Sequence, residues 1–280
     1  VHFMMNAELK GTYPICFRIH AWEVIPRRER YRQTLMKDVT RLRGGLTRHG
    51  FWGYTMTGND VKPESRLDVS TTLAGGLGLY IGEEVGGITP KKVFWERVAR
   101  GLIEHQLEDN GWSYNPATMK TSQGAMTAGG LALLYASYPH LSDATRERVD
   151  ESIARAMKWM DQNFSPTTNV NRGNNKNYYF AAVQHAGLFS GQRDFREMDW
   201  YASIAEHLVK VQSPDGAWGS VSETAFAIAF LCRGGIEYEP SESEHAEPGS
   251  VDETSSESED GTSADGVEDE TAPQPAEPAE

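Results

Sequence analysis

Gln106-Leu107-Glu108-Asp109-Asn110-Gly111-Trp112-Ser113-Tyr114, followed after a short polar loop by Thr121 to Tyr138, decides the reading of this chain. The stretch joins the end of one helix, through a Gly-Trp turn, to a second helix of small and apolar residues. Degraded copies lie upstream at Gly50-Phe51-Trp52-Gly53-Tyr54 and downstream at Gln212-Ser213-Pro214-Asp215-Gly216-Ala217-Trp218-Gly219. The Trp turns fall 60 and then 106 residues apart, and the longer interval holds two units. Between them, Ser165 to Asn177 is polar, rich in Asn and without a Gly-Trp pair.

Outward from this unit, two kinds of helical pattern alternate. Thr12 to Ile25 is apolar and aromatic at Ile15, Ile19, Trp22 and Val24, with Pro14 in the first turn, where its missing N–H costs nothing. Arg27 to Leu46 is amphipathic, with Tyr31, Leu35, Val39 and Leu42 on one stripe, and Gly44-Gly45 ends it. Leu67 to Tyr80 is again apolar. Its Gly75, Gly76 and Gly78 would each weaken an exposed helix by up to ~1 kcal/mol, so they imply packing on all sides. Val93 to Gln106 is amphipathic, with Phe94, Val98, Leu102 and Leu107 as its stripe, and Met126 to Tyr135 is apolar. Ser142 is expected to cap a helix running to Asn163, with Val149, Ile153, Ala156, Trp159 and Met160 inward. Tyr178 to Ser190, Phe195 to Gln212 and Glu223 to Cys232 continue the alternation.

Five apolar helices and four amphipathic ones result. A helix that is apolar all round has no solvent face, and its regular alternation with amphipathic partners predicts a closed or near-closed double ring, an all-α, α/α toroid over residues 1–236. A linear solenoid of helix pairs also repeats, but its inner helices line an open concave face and carry more charge than these.

Charge is uneven. Residues 237–280 hold 16 acidic side chains and no Lys or Arg, leaving 24 acidic against 27 basic residues in the body. That segment, rich in Glu, Ser, Asp, Pro, Thr, Gly and Ala, has too little apolar surface to offset ordering entropy and is expected to be a disordered tail. The basic residues Arg27, Arg28, Arg30, Arg41, Arg43 and Arg48 lack interleaved aromatics and read as a solvated face, so no nucleic acid is expected as a partner. Cys16 and Cys232 form no metal spacing and are expected to be buried, reduced thiols. No apolar run reaches the ~18 residues of a membrane span. The chain opens at Val1 inside a pattern, which suggests a fragment or processed product and leaves its compartment open.

Gln106…Asn110-Gly111-Trp112-Ser113-Tyr114 and Gln212…Asp215-Gly216-Ala217-Trp218-Gly219 resemble the Q-x-x-D/N-G-x-W repeats of terpenoid cyclases and protein prenyltransferase β subunits. The likeness is nearest to the squalene-cyclase-like toroid proteins of bacteria, in which stretches like Asp68-Val69-Ser70-Thr71-Thr72 and Ala125–Leu131 open the inner helices. Over about residues 10–236, the resemblance implies an α/α toroid, and an isoprenoid or other apolar ligand in a central cavity. The turn chemistry is intelligible without it. A glycine supplies a positive φ after the outer helix, Trp covers the gap between hairpins, and Gln satisfies backbone groups.

The reaction chemistry of such relatives is weakly represented. Class II cyclases use an Asp in a D-x-D-D type motif as a strong acid. Here Asp68 stands alone, with Ser70 and Thr71 following Val69, and a lone Asp at this place reads first as a helix cap. Prenyltransferases hold zinc with Asp, Cys and His, whereas Cys232 and His185 read as a buried thiol and a satisfied core histidine. No metal site and no cofactor are expected. A carboxylate pair for sugar chemistry would have to come from Asp68 and Glu223. Polar residues at the inner-helix starts, Asp68, Thr72, Gln123, Thr127, Tyr179 and Glu223, are the candidate lining of a cavity mouth. The expectation is a non-catalytic toroid serving as a scaffold or ligand-binding module of a larger bacterial protein, with an apolar ligand or a protein as partner. The alternative is a divergent cyclase or prenyltransferase.

Overall fold

Two of the small-residue, apolar stretches, residues 69–86 and 124–137, fold into helices with almost no solvent face, because Gly, Ala, Ser and Thr at regular intervals let neighbours approach on every side. The computed structural model describes residues 1–26, 28–56 and 67–233, all within the first of two units, Val1–Pro240. The expected disordered tail at 237–280 lies outside the described residues.

Among the described residues the chain is almost entirely helical: α1 (His2–Asn6), α2 (Thr12–Val24), α3 (Arg32–Gly45), α4 (Val69–Gly86), α5 (Lys92–Glu104), α6 (Gly124–Ser137), α7 (Asp143–Asn163), α8 (Lys176–Ser190), α9 (Trp200–Val211) and α10 (Val221–Arg233). In α4 every residue except Tyr80 and Glu84 is buried, and in α6 every residue except Tyr135. The buried series packs in chain order, α2 on α4, α4 on α6, α6 on α8 and α8 on α10. The amphipathic helices lie beside it, α3 against α2 and α4, α5 and α7 against α6, and α9 against α8 and α10. The first and last of the buried series also meet, through the rings of Phe17 and Phe226 with centroids 6.1 Å apart.

Two glycines show why the pattern needs them. A Cβ at Gly75 would lie 2.5 Å from the Trp52 indole, and one at Gly130 would lie 2.6 Å from the Trp112 indole. Each removes a methyl so that a turn tryptophan can lie flat against a buried helix.

Charge enters the interior only in satisfied form. Arg18, on α2, donates to both carboxylate oxygens of Asp38 on α3 at 2.7 and 2.6 Å, and its remaining nitrogen reaches the carbonyls of Met4 and Ala7. Glu83 of α4 accepts from Arg43 at 2.6 Å and from the Trp95 indole at 3.1 Å. The bidentate geometry of Arg18 on Asp38 helps to offset the cost of taking the two ions out of water.

Several local expectations change. Tyr31 precedes α3 instead of belonging to it; its buried hydroxyl sits 2.8 and 2.7 Å from the carbonyls of Trp22 and Ile25 and closes the end of α2. The inward stripe of α5 is Trp95, Val98, Ala99 and Leu102, while Phe94 is half-buried beneath the guanidinium groups of Arg43 and Arg97. Ser142 precedes α7 but makes no side-chain cap; its amide instead donates to Glu96 at 2.6 Å. Phe195 belongs to a two-residue antiparallel ladder, Asp194–Phe195 against Met198–Asp199, and α9 starts only at Trp200, where the Asp199 carboxylate caps it. Cys16 is buried as expected, but Cys232, near the end of α10, is exposed.

Candidate functional site

The turns that open the buried helices share one geometry, built from the backbone upward. The amide five residues before each Trp donates to the carbonyl just before that Trp: Thr47 to Phe51, Leu107 to Gly111 and Ser213 to Ala217, at 3.0, 2.9 and 3.0 Å. The residue two before the Trp holds a left-handed φ, at Gly50 (82°), Asn110 (79°) and Gly216 (83°). In the best-preserved turn that residue is therefore Asn110, an amino acid that tolerates this region. Gly111 is needed for space instead, since a Cβ there would meet the Thr127 hydroxyl at 2.3 Å. The Gln106 and Gln212 amides donate to the carbonyls of Asn110 and Gly216, which is the role expected of them.

Each indole N–H then reaches back ten residues to a carbonyl of the preceding amphipathic helix: Trp52 to Leu42, Trp112 to Leu102 and Trp218 to Leu208, at 2.8, 2.9 and 2.8 Å. Each Trp amide donates forward to a threonine hydroxyl of the next buried helix: to Thr72, Thr127 and Thr224, at 3.2, 3.2 and 3.0 Å. The first amides of α2, α4 and α6 in turn donate to the carbonyls of Tyr54, Tyr114 and Val170 in the following turn. The unit without a Trp keeps this stitch through asparagines. Asn169, fully buried, accepts from the Ala125 amide at 3.0 Å, and Asn171 donates to the Ser122 carbonyl at 2.8 Å.

The six candidate residues all sit at this end of the buried helices, and each is engaged there. Asp68 caps α4, its Oδ1 accepting from the Thr71 amide at 2.9 Å and the Ser70 hydroxyl at 2.6 Å. Thr72 and Thr127 are fully buried in the Trp joints. Gln123 accepts from the Tyr114 amide at 3.2 Å, and its own amide donates to the Trp112 carbonyl at 2.8 Å. Tyr179 is fully buried, its hydroxyl accepting from the Ser165 amide. Glu223 accepts from the Asn177 amide at 3.1 Å, and its carbonyl from the Asn177 side chain.

What sequence reasoning missed is a group of tyrosines around Asp68. The hydroxyl of Tyr13 bonds Ser70 and Tyr178, that of Tyr178 reaches the Ser70 carbonyl at 3.3 Å, and the ring of Tyr13 lies 5.9 Å from that of Tyr54. Tyr114 bonds Asn175, and the Arg172 guanidinium lies 4.7 Å above its ring. Burial pushes the Tyr13 and Tyr178 phenols well above their ordinary range, and the Asp68 charge adds to the effect in both. A signal was available: Tyr54 and Tyr114 each stand two residues after a turn Trp. The cluster offers phenols, one carboxylate and one stacked guanidinium at the mouth of α2, α4 and α8.

His185, expected in the core, is half-buried, and its Nδ1–H donates to the Ala181 carbonyl at 2.7 Å, with the His20 ring 6.2 Å away. Among the described residues no group of three or more His, Cys, Asp or Glu is placed to hold a metal ion. No described helix is long and apolar enough to cross a membrane. In comparisons with known proteins, no family model matches the chain, and neither does any curated protein or solved structure.

Proposed function

We propose that the body of this chain is a non-catalytic α/α toroid, similar to terpenoid cyclases and prenyltransferase β subunits, that serves as a scaffold or ligand-binding module. One observation carries the reading: polar side chains at the starts of the buried helices are spent on the joints between hairpins. Thr72 and Thr127 hold tryptophan amides, Glu223 holds Asn177, and Asp68 caps its own helix. A toroid built on these joints presents the tyrosine cluster as its polar recognition surface, suited to the headgroup of an otherwise apolar ligand such as an isoprenoid.

The second reading is a divergent cyclase or prenyltransferase, favoured by the Asp68 carboxylate lying among the buried phenols of Tyr13 and Tyr178. Incubation with squalene and with prenyl diphosphates, followed by product analysis, separates the two. The scaffold reading expects no product from the native chain or from Asp68→Asn. Turnover by the native chain that Asp68→Asn abolishes overturns it.

A further inference from the structure

One cation already rests on the tyrosine cluster. Arg172, an exposed residue of the loop before α8, places its guanidinium 4.7 Å from the centre of the Tyr114 ring. That distance lies within the range at which a ring face attracts a positive charge. The neighbouring pair, Tyr13 and Tyr54, has ring centres 5.9 Å apart and a tilt of 44° between the planes. Tyr54 is 60% exposed, and among the described residues no cation is stacked on either ring of that pair.

Asp68 completes the group. Its Oδ1 is taken by the Thr71 amide and the Ser70 hydroxyl, whereas its Oδ2 accepts no hydrogen bond from any described residue. No described Lys or Arg pairs with it either. The carboxylate is near enough for its charge to act on the phenols of Tyr13, Tyr114 and Tyr178 alike.

The supply of donors decides the sign of a ligand here. The hydroxyls of Tyr13, Tyr114 and Tyr178 are already engaged, by Ser70, by Asn175 and by one another. An anion would find few of them free, while a cation finds ring faces and an unshared carboxylate oxygen. A hard metal ion would want several more oxygens around it, whereas an alkylated ammonium needs faces and one counter-charge.

We propose that the mouth of α2, α4 and α8 binds an organic ammonium group, quaternary or methylated, on the faces of Tyr13 and Tyr54, its charge countered by Oδ2 of Asp68. The assignment rests on the reading of this body as a ligand-binding module and names the head of its ligand: a cation carried on an apolar tail.

Titration calorimetry of the full chain tests it without any substrate present. The probes are tetramethylammonium and hexyltrimethylammonium, with hexyl sulfate and hexanol as anionic and neutral controls, all at constant ionic strength. Saturable binding of both ammonium ions is expected, with a dissociation constant on the order of 1 mM for the smaller one. Asp68→Asn should weaken it about tenfold, and because Asn caps a helix as well as Asp does, the circular dichroism spectrum should not change. Tyr54→Leu, at an exposed ring, should weaken it about fivefold. Arg172→Ala should tighten it about twofold or more, since the resident cation no longer competes for the rings. Hexanol binding as tightly as hexyltrimethylammonium overturns the proposal and leaves the module reading standing, whereas an absence of binding by every probe overturns both. Tighter binding of hexyl sulfate, weakened by Arg172→Ala, would make the site anionic in preference and overturns the proposal as well.

Discussion

The amide of Trp112 donates to the hydroxyl of Thr127 at 3.2 Å, closing a joint that recurs between Trp52 and Thr72 at 3.2 Å and between Trp218 and Thr224 at 3.0 Å. Each joint fixes where one buried helix starts relative to the amphipathic helix before it. The joints differ in solvent exposure. Trp112 and Thr127 are fully buried, while Trp218 and Thr224 are half-buried.

That difference sets the first prediction. Thr127→Val keeps the shape of the side chain and leaves a buried amide without a partner, which costs about 1–3 kcal/mol. Thr224→Val, where water can substitute, should cost about 0.5 kcal/mol. Urea midpoints compared at equal slope measure both, and equal losses would show that the hydroxyl is not what holds the joint.

Gly130 and Gly44 should respond in opposite directions to alanine. At Gly130 the new methyl meets the Trp112 indole at 2.6 Å, and overpacking outweighs the gain in helix propensity, for a net loss of about 1–2 kcal/mol. At Gly44, exposed in α3 with nothing within 4 Å of an added Cβ, propensity alone acts and should stabilise by up to ~1 kcal/mol. Thermal midpoints of the two variants decide the matter.

Arg43 and Glu83 form a pair whose side chains are 15% and 2% exposed. Arg43→Met strands the carboxylate beneath α3 with only the Trp95 indole as a described donor, and should cost about 3 kcal/mol at neutral pH. Adding Glu83→Gln should restore part of that loss, because the buried charge is then gone. A double-mutant cycle gives the coupling, and additive losses would mean that the pair acts through packing alone.

The tyrosine cluster predicts an alkaline limit to stability. Burial raises the Tyr13 and Tyr178 phenols above the ordinary value of about 10, so the fold favours their protonated forms. Their contribution is complete below pH ~10 and is lost as pH rises through the raised folded values. Tyr13→Phe with Tyr178→Phe should flatten the fall in stability above pH ~10 and leave the neutral region little changed. Denaturant titrations at neutral pH and above pH ~10 test this, and an unaltered alkaline slope would remove these phenols from the account.

Much of the architecture was legible in the chain. The Gln106–Tyr114 turn, its copies and the Gly-rich stretches identified the buried and amphipathic helices, because apolar periodicity and small-residue spacing are local consequences of which faces must exclude water. The starts of the buried helices were also readable, and so were the six polar residues gathered there. Their partners were not. That Thr127 serves Trp112, that Glu223 serves Asn177, and that Tyr13 and Tyr178 meet at Ser70 depends on contacts between residues up to 108 positions apart. Sequence spacing carries no record of such contacts. The sequence by itself determined the alternation of helices and the chemistry of the turns. Only the tertiary structure decided that Asp68 is a cap beside phenols, that Arg18 enters the core on Asp38, and that Val221, Ile228 and Cys232 of α10 are exposed. The physical reason is that burial and hydrogen-bond partnership belong to neighbours in space, and an apolar residue reads the same in sequence whether or not a neighbour arrives.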